Sequence, residues 1–307
     1  MNEVESGTGT GSSHNVVMHE ETGHLYRTGG YHYGLGVYDL NAGPVDPPLL
    51  GSWSDRYVHE AQVVTMQSGP FAGKEVAFCC SGFNGGWTET GIDIIEIIRD
   101  GSSVSFDLLA RYAYPNGAYS HQAWLSDDQT IFYLGDELDE GSVVPFTETK
   151  VIDVSDLTAP FEVNNFDNGN EAVGHNLYTR DGLIFEANYT SGLRVFDTCP
   201  DPVNPVEVAY FDTHPESDSA SYSGMWSNYP FFPSGTVIGS DRSRGLFVMK
   251  VDVSSGNSPD IDGSGSVAVN DLLILLGDWG SASSPADLNC DGVVDVADLL
   301  ALLAAWS

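Results

Sequence analysis

Between residues 14 and 250 one strand pattern returns five times, and internal repetition of this kind constrains the fold more than any single motif can. Short apolar runs ending in an acid recur as LGVYDL at 35–40, IDIIEI at 92–97, TKVIDVSD at 149–156 and LRVFDT at 193–198. LFVMKVD at 246–252 repeats them with Lys250 in the acidic slot, so that Asp39, Glu96, Asp153 and Asp197 stand in register. A turn containing Pro or Gly and a further strand follow most of these runs, as in DLTAPFEVNNFDN at 156–168. A third strand then opens on histidine, at His14, His59, His121 and His175, with SGMW at Ser223 as the departure, and a fourth follows, such as TIFYLGDE at 130–137. Four short strands in each unit of roughly 45–60 residues, with turn signals between them and no helical period, predict the blade of a β-propeller. A β-sandwich also shows short alternating strands, but it would not return histidine to one phase. Five units either close a small ring or leave an open arc, and the repeat does not choose between them.

In a propeller the first strand of each blade lines the central channel. If the histidine segments are those strands, His14, His59, His121 and His175 converge on the axis, and four imidazoles from separate blades suit a transition metal. Asp136, Glu137, Glu186 and Asp241 lie on neighbouring strands and are candidates to complete such a shell. The competing expectation is structural: a repeated histidine can donate to a carbonyl of the adjacent blade and brace the strand. Trp124, Tyr178 and Trp226 share one position three residues further on and are expected in the core between blades.

The last 48 residues repeat differently. DIDGSGSVAVND at 260–271 and DLNCDGVVDVAD at 287–298 are each followed by an apolar run, LLILLGDW and LLALLAAW, at a constant offset. Oxygen-bearing residues fall at positions 1, 3, 5 and 12 of each loop, and Gly265 and Gly292 occupy position 6, where an EF-hand-type calcium loop turns sharply. Two calcium ions are therefore expected. One falls to Asp260, Asp262, Ser264, Ser266 through its carbonyl, and Asp271; the other to Asp287, Asn289, Asp291, Val293 through its carbonyl, Asp295 and Asp298. The second loop is the fuller site, because position 9 is Asp295 there and Ala268 in the first.

Paired loops of this form, each followed by one helix, resemble a type I dockerin over residues 260–307. KVIDVSDLTAPFEV resembles LVIVD-type repeats, and the region from GSSHNVV to RGLFVMKV resembles the choice-of-anchor B family over roughly residues 10–250. These resemblances imply a mainly β chain: a flexible segment at 1–13, propeller repeats at 14–253, a linker at 254–259, and a small helical calcium-binding module at 260–307. They also imply a bacterial extracellular or cell-surface protein, anchored through a cohesin-like or other surface partner, whose propeller binds an unidentified ligand such as a polysaccharide or protein. Members of that family carry further repeats upstream, so the chain is expected to begin late. Loop positions 10 and 11, Val269–Asn270 and Val296–Ala297, differ from the hydroxyl-rich pairs of cellulosomal dockerins.

Charge narrows the partners. With 44 acidic against 11 basic residues the net charge is −33, which opposes binding to a nucleic-acid backbone and to anionic membranes. Every charged residue after 257 is aspartate, so the terminal module should repel itself until calcium neutralises it. No 18-residue apolar stretch is present, and MNEVESGTGTGSSH is not a signal peptide. Four cysteines, Cys79, Cys80, Cys199 and Cys290, do not make a disulfide framework, although a bridge from Cys79 or Cys80 to Cys199 is open. No nucleophile elbow, HExxH, P-loop or dinucleotide fingerprint appears. The run GDELDEG at 135–141 is acidic enough to hold a general acid and base, the alternative being an enzyme acting on extracellular polysaccharide, but a loop carboxylate run is more often solvated.

Overall fold

The computed structural model describes residues 13–30, 34–199, 201–253, 256–281 and 284–306. The expected flexible segment, apart from its last residue, and two serines of the expected linker lie outside the described residues. Five antiparallel sheets follow one another along the chain as the blades of a propeller. The first blade holds β1 (Asn15–His19), β2 (His24–Thr28), β3 (Leu35–Asp39) and β4 (Leu49–Trp53). The second holds β5 (Glu60–Thr65), β6 (Glu75–Ser81), β7 (Gly91–Asp100) and β8 (Ser103–Tyr112). The third comprises β9 (Ser120–Leu125), β10 (Ile131–Asp136), β11 (Glu148–Asp153) and β12 (Phe161–Asp167), and the fourth β13 (Leu177–Arg180), β14 (Leu183–Ala187), β15 (Leu193–Asp197) and β16 (Val206–Phe211). A three-stranded fifth sheet contains β17 (Met225–Tyr229), β18 (Thr236–Asp241) and β19 (Gly245–Lys250). First strands of successive blades pack on one another in order, β1 on β5, β5 on β9, β9 on β13 and β13 on β17.

The middle strands show why these segments are so apolar. Side chains of a strand alternate between faces, and a blade flanked on both sides must bury both sets. On β6, Val76, Phe78 and Cys80 pack with Leu125, Phe132 and Leu134 of the third blade, while Ala77 and Cys79 pack with Tyr26, Leu35 and Val37 of the first. Phe78 is fully buried, and its replacement by Ala should cost about 3–5 kcal/mol. Outer strands see a neighbour less fully, and β12 and β16 keep alternate residues exposed. The two end blades also leave apolar side chains in solvent: Val16 and Met18 on β1, Leu246 and Val248 on β19.

The acidic register has a local cause. In four blades the pairing between third and fourth strands slips two residues before the repeated acid, at Val37/Tyr38, Ile94/Ile95, Val151/Ile152 and Val195/Phe196. Such bulges bend a strand and sharpen its twist. Three of the acids then close the turn that follows, accepting from the backbone N–H of Asn41, Ser155 and Cys199 at 2.9 Å each. Glu96 departs and takes Lys74 Nζ at 2.6 Å.

The chain ends in two helices, α1 (Val269–Gly277) and α2 (Val296–Ala304). Leu275 and Leu302 are fully buried with Val267, Ala286, Leu288 and Val294 in a separate small core. Cys199, at the turn leaving β15, is disulfide-bonded to Cys290 across 91 residues. The expected alternative with Cys79 or Cys80 is corrected accordingly: both thiols are buried inside the second blade, on opposite faces of β6. No described helix is long and apolar enough to cross a membrane.

Candidate functional site

His14 and His59 stand immediately before β1 and β5, His121 lies on β9, and His175 precedes β13, so each of the first four blades delivers an imidazole where its first strand begins. The four rings form a row. Centroid separations are 3.7 Å from His14 to His59, 4.6 Å from His59 to His121 and 4.1 Å from His121 to His175, and Trp226 of the fifth blade ends the row 5.1 Å from His175. Two sets of donor atoms fall within 4.8 Å of one another: His14, His59 and His121, and His121, Glu137 and His175.

Their partners are oriented around them. His59 Nδ1 faces two tyrosine hydroxyls, that of Tyr119 at 2.8 Å, which itself donates to Asn84 Oδ1 at 2.7 Å, and that of Tyr57 at 3.2 Å. His59 Nε2 is buried with no hydrogen-bond partner. The carbonyl of Trp226 can only accept, so His175 Nδ1 carries the proton and Nε2 the lone pair, 3.6 Å from Glu137 Oε1. His121 Nε2 lies 3.5 Å from the other oxygen of Glu137, and Tyr189 donates to that carboxylate at 3.0 Å. Burial, reinforced by the charges of neighbouring histidines, lowers His59 and His175 to about 3 and takes His121 well below the ordinary histidine value. At neutral pH these are neutral imidazoles, the form that binds metal.

Among the four carboxylates expected near the channel, the structure brings only Glu137 to the imidazole row. Asp136, its neighbour, points the other way and accepts from Tyr114 Oη and the N–H groups of Ala118 and Tyr119 at 2.7–2.8 Å. Glu186 is held by Thr149 at 2.6 Å and Asn188 at 3.1 Å, and Asp241 closes the turn at Ser243 and Arg244. Glu60, which follows His59 directly, was not expected; its Oε1 lies 3.7 Å from His14 Nε2. Trp124 and Tyr178 meet edge to face at 4.9 Å between blades, whereas Trp226 stays 43% exposed against His175.

The GDELDEG run is buried rather than solvated. Asp139 is fully enclosed and Glu140 nearly so; Lys150 lies 3.3 Å from Asp139 and also pairs with Glu148, and Gly174 N donates to Glu140 at 2.7 Å. Burial raises Asp139 to about 7 and Glu140 to about 9.

The terminal loops repeat each other atom for atom in several respects. Position 12 takes the N–H of position 9, Ala268 to Asp271 at 2.8 Å and Asp295 to Asp298 at 2.7 Å, and so caps the following helix. Position 1 takes the N–H of the position 6 glycine, Gly265 to Asp260 at 2.7 Å and Gly292 to Asp287 at 2.9 Å. Both glycines sit in the left-handed region, with φ of 90° and 91°, which a side chain would strain. Donor oxygens of Asp260, Asp262 and Asp271 lie within 4.8 Å of one another, and Asp287 Oδ1 is buried without a partner. Ser264 reaches the Ser266 carbonyl at 3.2 Å, Asn289 contacts Asp291 at 2.9 Å, and Asp291 accepts from Val293 N at 3.1 Å. Asp295 Oδ1 accepts from Ala297 N at 2.7 Å.

No family model matches the chain, and no curated protein matches it by sequence. In fold it is similar to a protein from Lactobacillus plantarum, solved as a crystal structure by the Northeast Structural Genomics Consortium. The identity is 12%, the TM-score 0.52, and the match covers 78% of this chain and 71% of that one. At that identity the likeness speaks to the propeller fold alone.

Proposed function

We propose that the chain is a bacterial surface recognition protein: a propeller that binds its ligand and a dockerin-like module that fastens it to a surface partner when calcium is bound. The carrying observation is the duplicated loop geometry, in which like-charged carboxylates come together, Asp260 with Asp262 and Asp271 in the first loop and Asp287 with Asp298 and Asp291 in the second. Such a cluster is unfavourable alone and favourable around a hard cation. Two further features support anchoring. Leu273, Leu276 and Trp279 on and just beyond α1, and Leu300, Leu303 and Trp306 on and just beyond α2, remain exposed, a paired apolar surface of the kind that marks a protein interface. The Cys199–Cys290 bridge fits an oxidising, extracellular compartment.

Calcium titration of the chelated full chain by calorimetry tests the reading. Two sites are expected, with the 287–298 loop the tighter, and Asp298→Ala should remove one. Absence of calcium binding at millimolar concentration would overturn it. A second reading, an enzyme acting on extracellular polysaccharide, is favoured by one observation: burial holds Glu140 protonated beside Asp139, an acid near neutrality. Release of reducing ends by the wild type and its loss in Glu140→Gln would establish that reading instead.

A further inference from the structure

The histidine row could brace the blades or bind an ion, and the hydrogen bonds separate these roles. Bracing between neighbouring blades is performed mostly by amides, and His175 shares in it by donating Nδ1 to the Trp226 carbonyl of the fifth blade, as the structural expectation required. Gln62 Oε1 accepts from Leu125 N and Gln122 Oε1 from Leu177 N, both at 2.8 Å, and Asn228 Nδ2 donates to the carbonyls of Asn176 and Phe185 at 3.2 and 3.1 Å. Each of these links joins one blade to the next. Two imidazoles nevertheless keep a nitrogen back. His59 Nε2 has no partner although it is buried, an arrangement that costs about 1–3 kcal/mol unless something else satisfies it. His175 uses Nδ1 on a backbone carbonyl and turns Nε2 towards Glu137 at a distance too long for a hydrogen bond.

We propose that the channel is a transition-metal site, with His121, His175 and the Glu137 carboxylate as its ligand triad and His59 Nε2 as a further nitrogen beside it. The donor atoms of the triad already lie within 4.8 Å of one another and come from two blades. An outer layer orients two of the three: the Trp226 carbonyl fixes the His175 tautomer, and the Tyr189 hydroxyl holds Glu137 at 3.0 Å, whereas His121 Nδ1 is buried without a hydrogen-bond partner. This is the way metal-binding histidines and carboxylates are oriented elsewhere. Two imidazoles and one carboxylate suit a borderline divalent ion such as zinc, cobalt or iron(II), and suit calcium poorly. The site is chemically distinct from the terminal loops, whose donors are all oxygens, and its existence does not depend on calcium anchoring.

The test uses the full chain with calcium in saturating excess, so that the oxygen loops are filled before cobalt(II) or zinc is added. Elemental analysis after dialysis should find one transition-metal ion per chain, and the cobalt form should show visible bands of nitrogen ligation. His175→Gln and Glu137→Gln should each weaken binding more than tenfold, and Tyr189→Phe about tenfold, while His14→Ala, which alters the neighbouring donor set, should change it little. Thermal melts establish that each variant is folded, and metal should raise the melting temperature of the wild type but not of Glu137→Gln. No cobalt beyond the calcium loops overturns the proposal. So does equal binding in wild type and Glu137→Gln, or loss in His14→Ala with retention in His175→Gln.

Discussion

The channel and the terminal loops both gather metal-type donors by repetition, yet they gather them in opposite ways. In the loops twelve consecutive residues supply a whole donor set, and its carboxylates are charged and partly in solvent. In the channel the donors come from several separate segments and blades, and burial keeps His59, His121 and His175 neutral. A local site made of like charges needs its ion in order to fold. A non-local site in which neutral imidazoles surround a carboxylate is assembled by the packing of blades and stands without one. The contrast predicts which part of the molecule depends on metal for its structure.

The largest effect should come from chelation. Removing calcium from the full chain should abolish the helical circular dichroism of α1 and α2 and leave the β signal of the propeller intact; helices that survive excess chelator would erase the contrast. Next in size is the disulfide that joins the two regions. Replacing both Cys199 and Cys290 by Ser should lower the stability of the terminal module by about 2–4 kcal/mol, seen as earlier melting and faster proteolysis near residues 251–257 at fixed calcium. An unchanged melt would mean that the linker and calcium alone hold the module.

A smaller effect tests how the propeller manages a buried charge of its own. Glu75, between the first two blades, accepts from Tyr26 Oη at 2.6 Å and Thr22 Oγ1 at 3.1 Å, with His19 and His24 Nδ1 at 3.2 and 3.1 Å. Arg99 faces His24 at 2.6 Å and Asp39 at 3.0 Å in the same network, and Glu21 reaches it through Thr65. Burial would raise Glu75, but the hydrogen bonds of His19 and Tyr26 and the charges of His24 and His19 outweigh it and bring the carboxyl down to about 2. A depressed carboxylate stabilises the fold above its unfolded value, near 4.3, and that contribution disappears as pH falls towards 2. Glu75→Gln should therefore cost roughly 1.5–3 kcal/mol at pH 6 and flatten the stability profile between pH 4.5 and 2; parallel profiles for wild type and variant would refute the assignment. The smallest effect is expected at the exposed helix faces. Leu273→Ser with Leu300→Ser should shift stability by no more than about 0.5 kcal/mol per site while reducing capture of a surface partner in calcium, so a large loss of stability would place those faces in a core.

Much of the architecture is legible in the amino-acid sequence. The acid at the end of each third strand marked the blade register because the turn beyond it needs a side-chain acceptor, a strictly local demand met by Asp39, Asp153 and Asp197. The histidine phase placed His14, His59, His121 and His175 together because equivalent positions of a cyclic repeat share one radius. The loops were legible for the same reason, since position 6 requires glycine whatever surrounds it. The carboxylates were not. Asp136 and Glu137 are adjacent and chemically alike, but neighbouring side chains leave a strand on opposite faces, so one serves Tyr114 and two backbone amides while the other meets His121 and His175.

Sequence alone thus determined the β repeat, its strand order within each blade and the calcium-type spacing, all of which rest on patterns that recur along the chain, the alternation within strands, the recurring blade unit and the ligand positions within one loop. Tertiary structure decided the rest. It paired Cys199 with Cys290 rather than with Cys79 or Cys80, drew the GDELDEG run inside against Lys150, and kept Glu137 and added Glu60 at the channel while turning Asp136, Glu186 and Asp241 elsewhere. Each of these depends on distances between blades or between a blade and the terminal module. Such distances follow from how whole sheets pack, and no local pattern of residues encodes them.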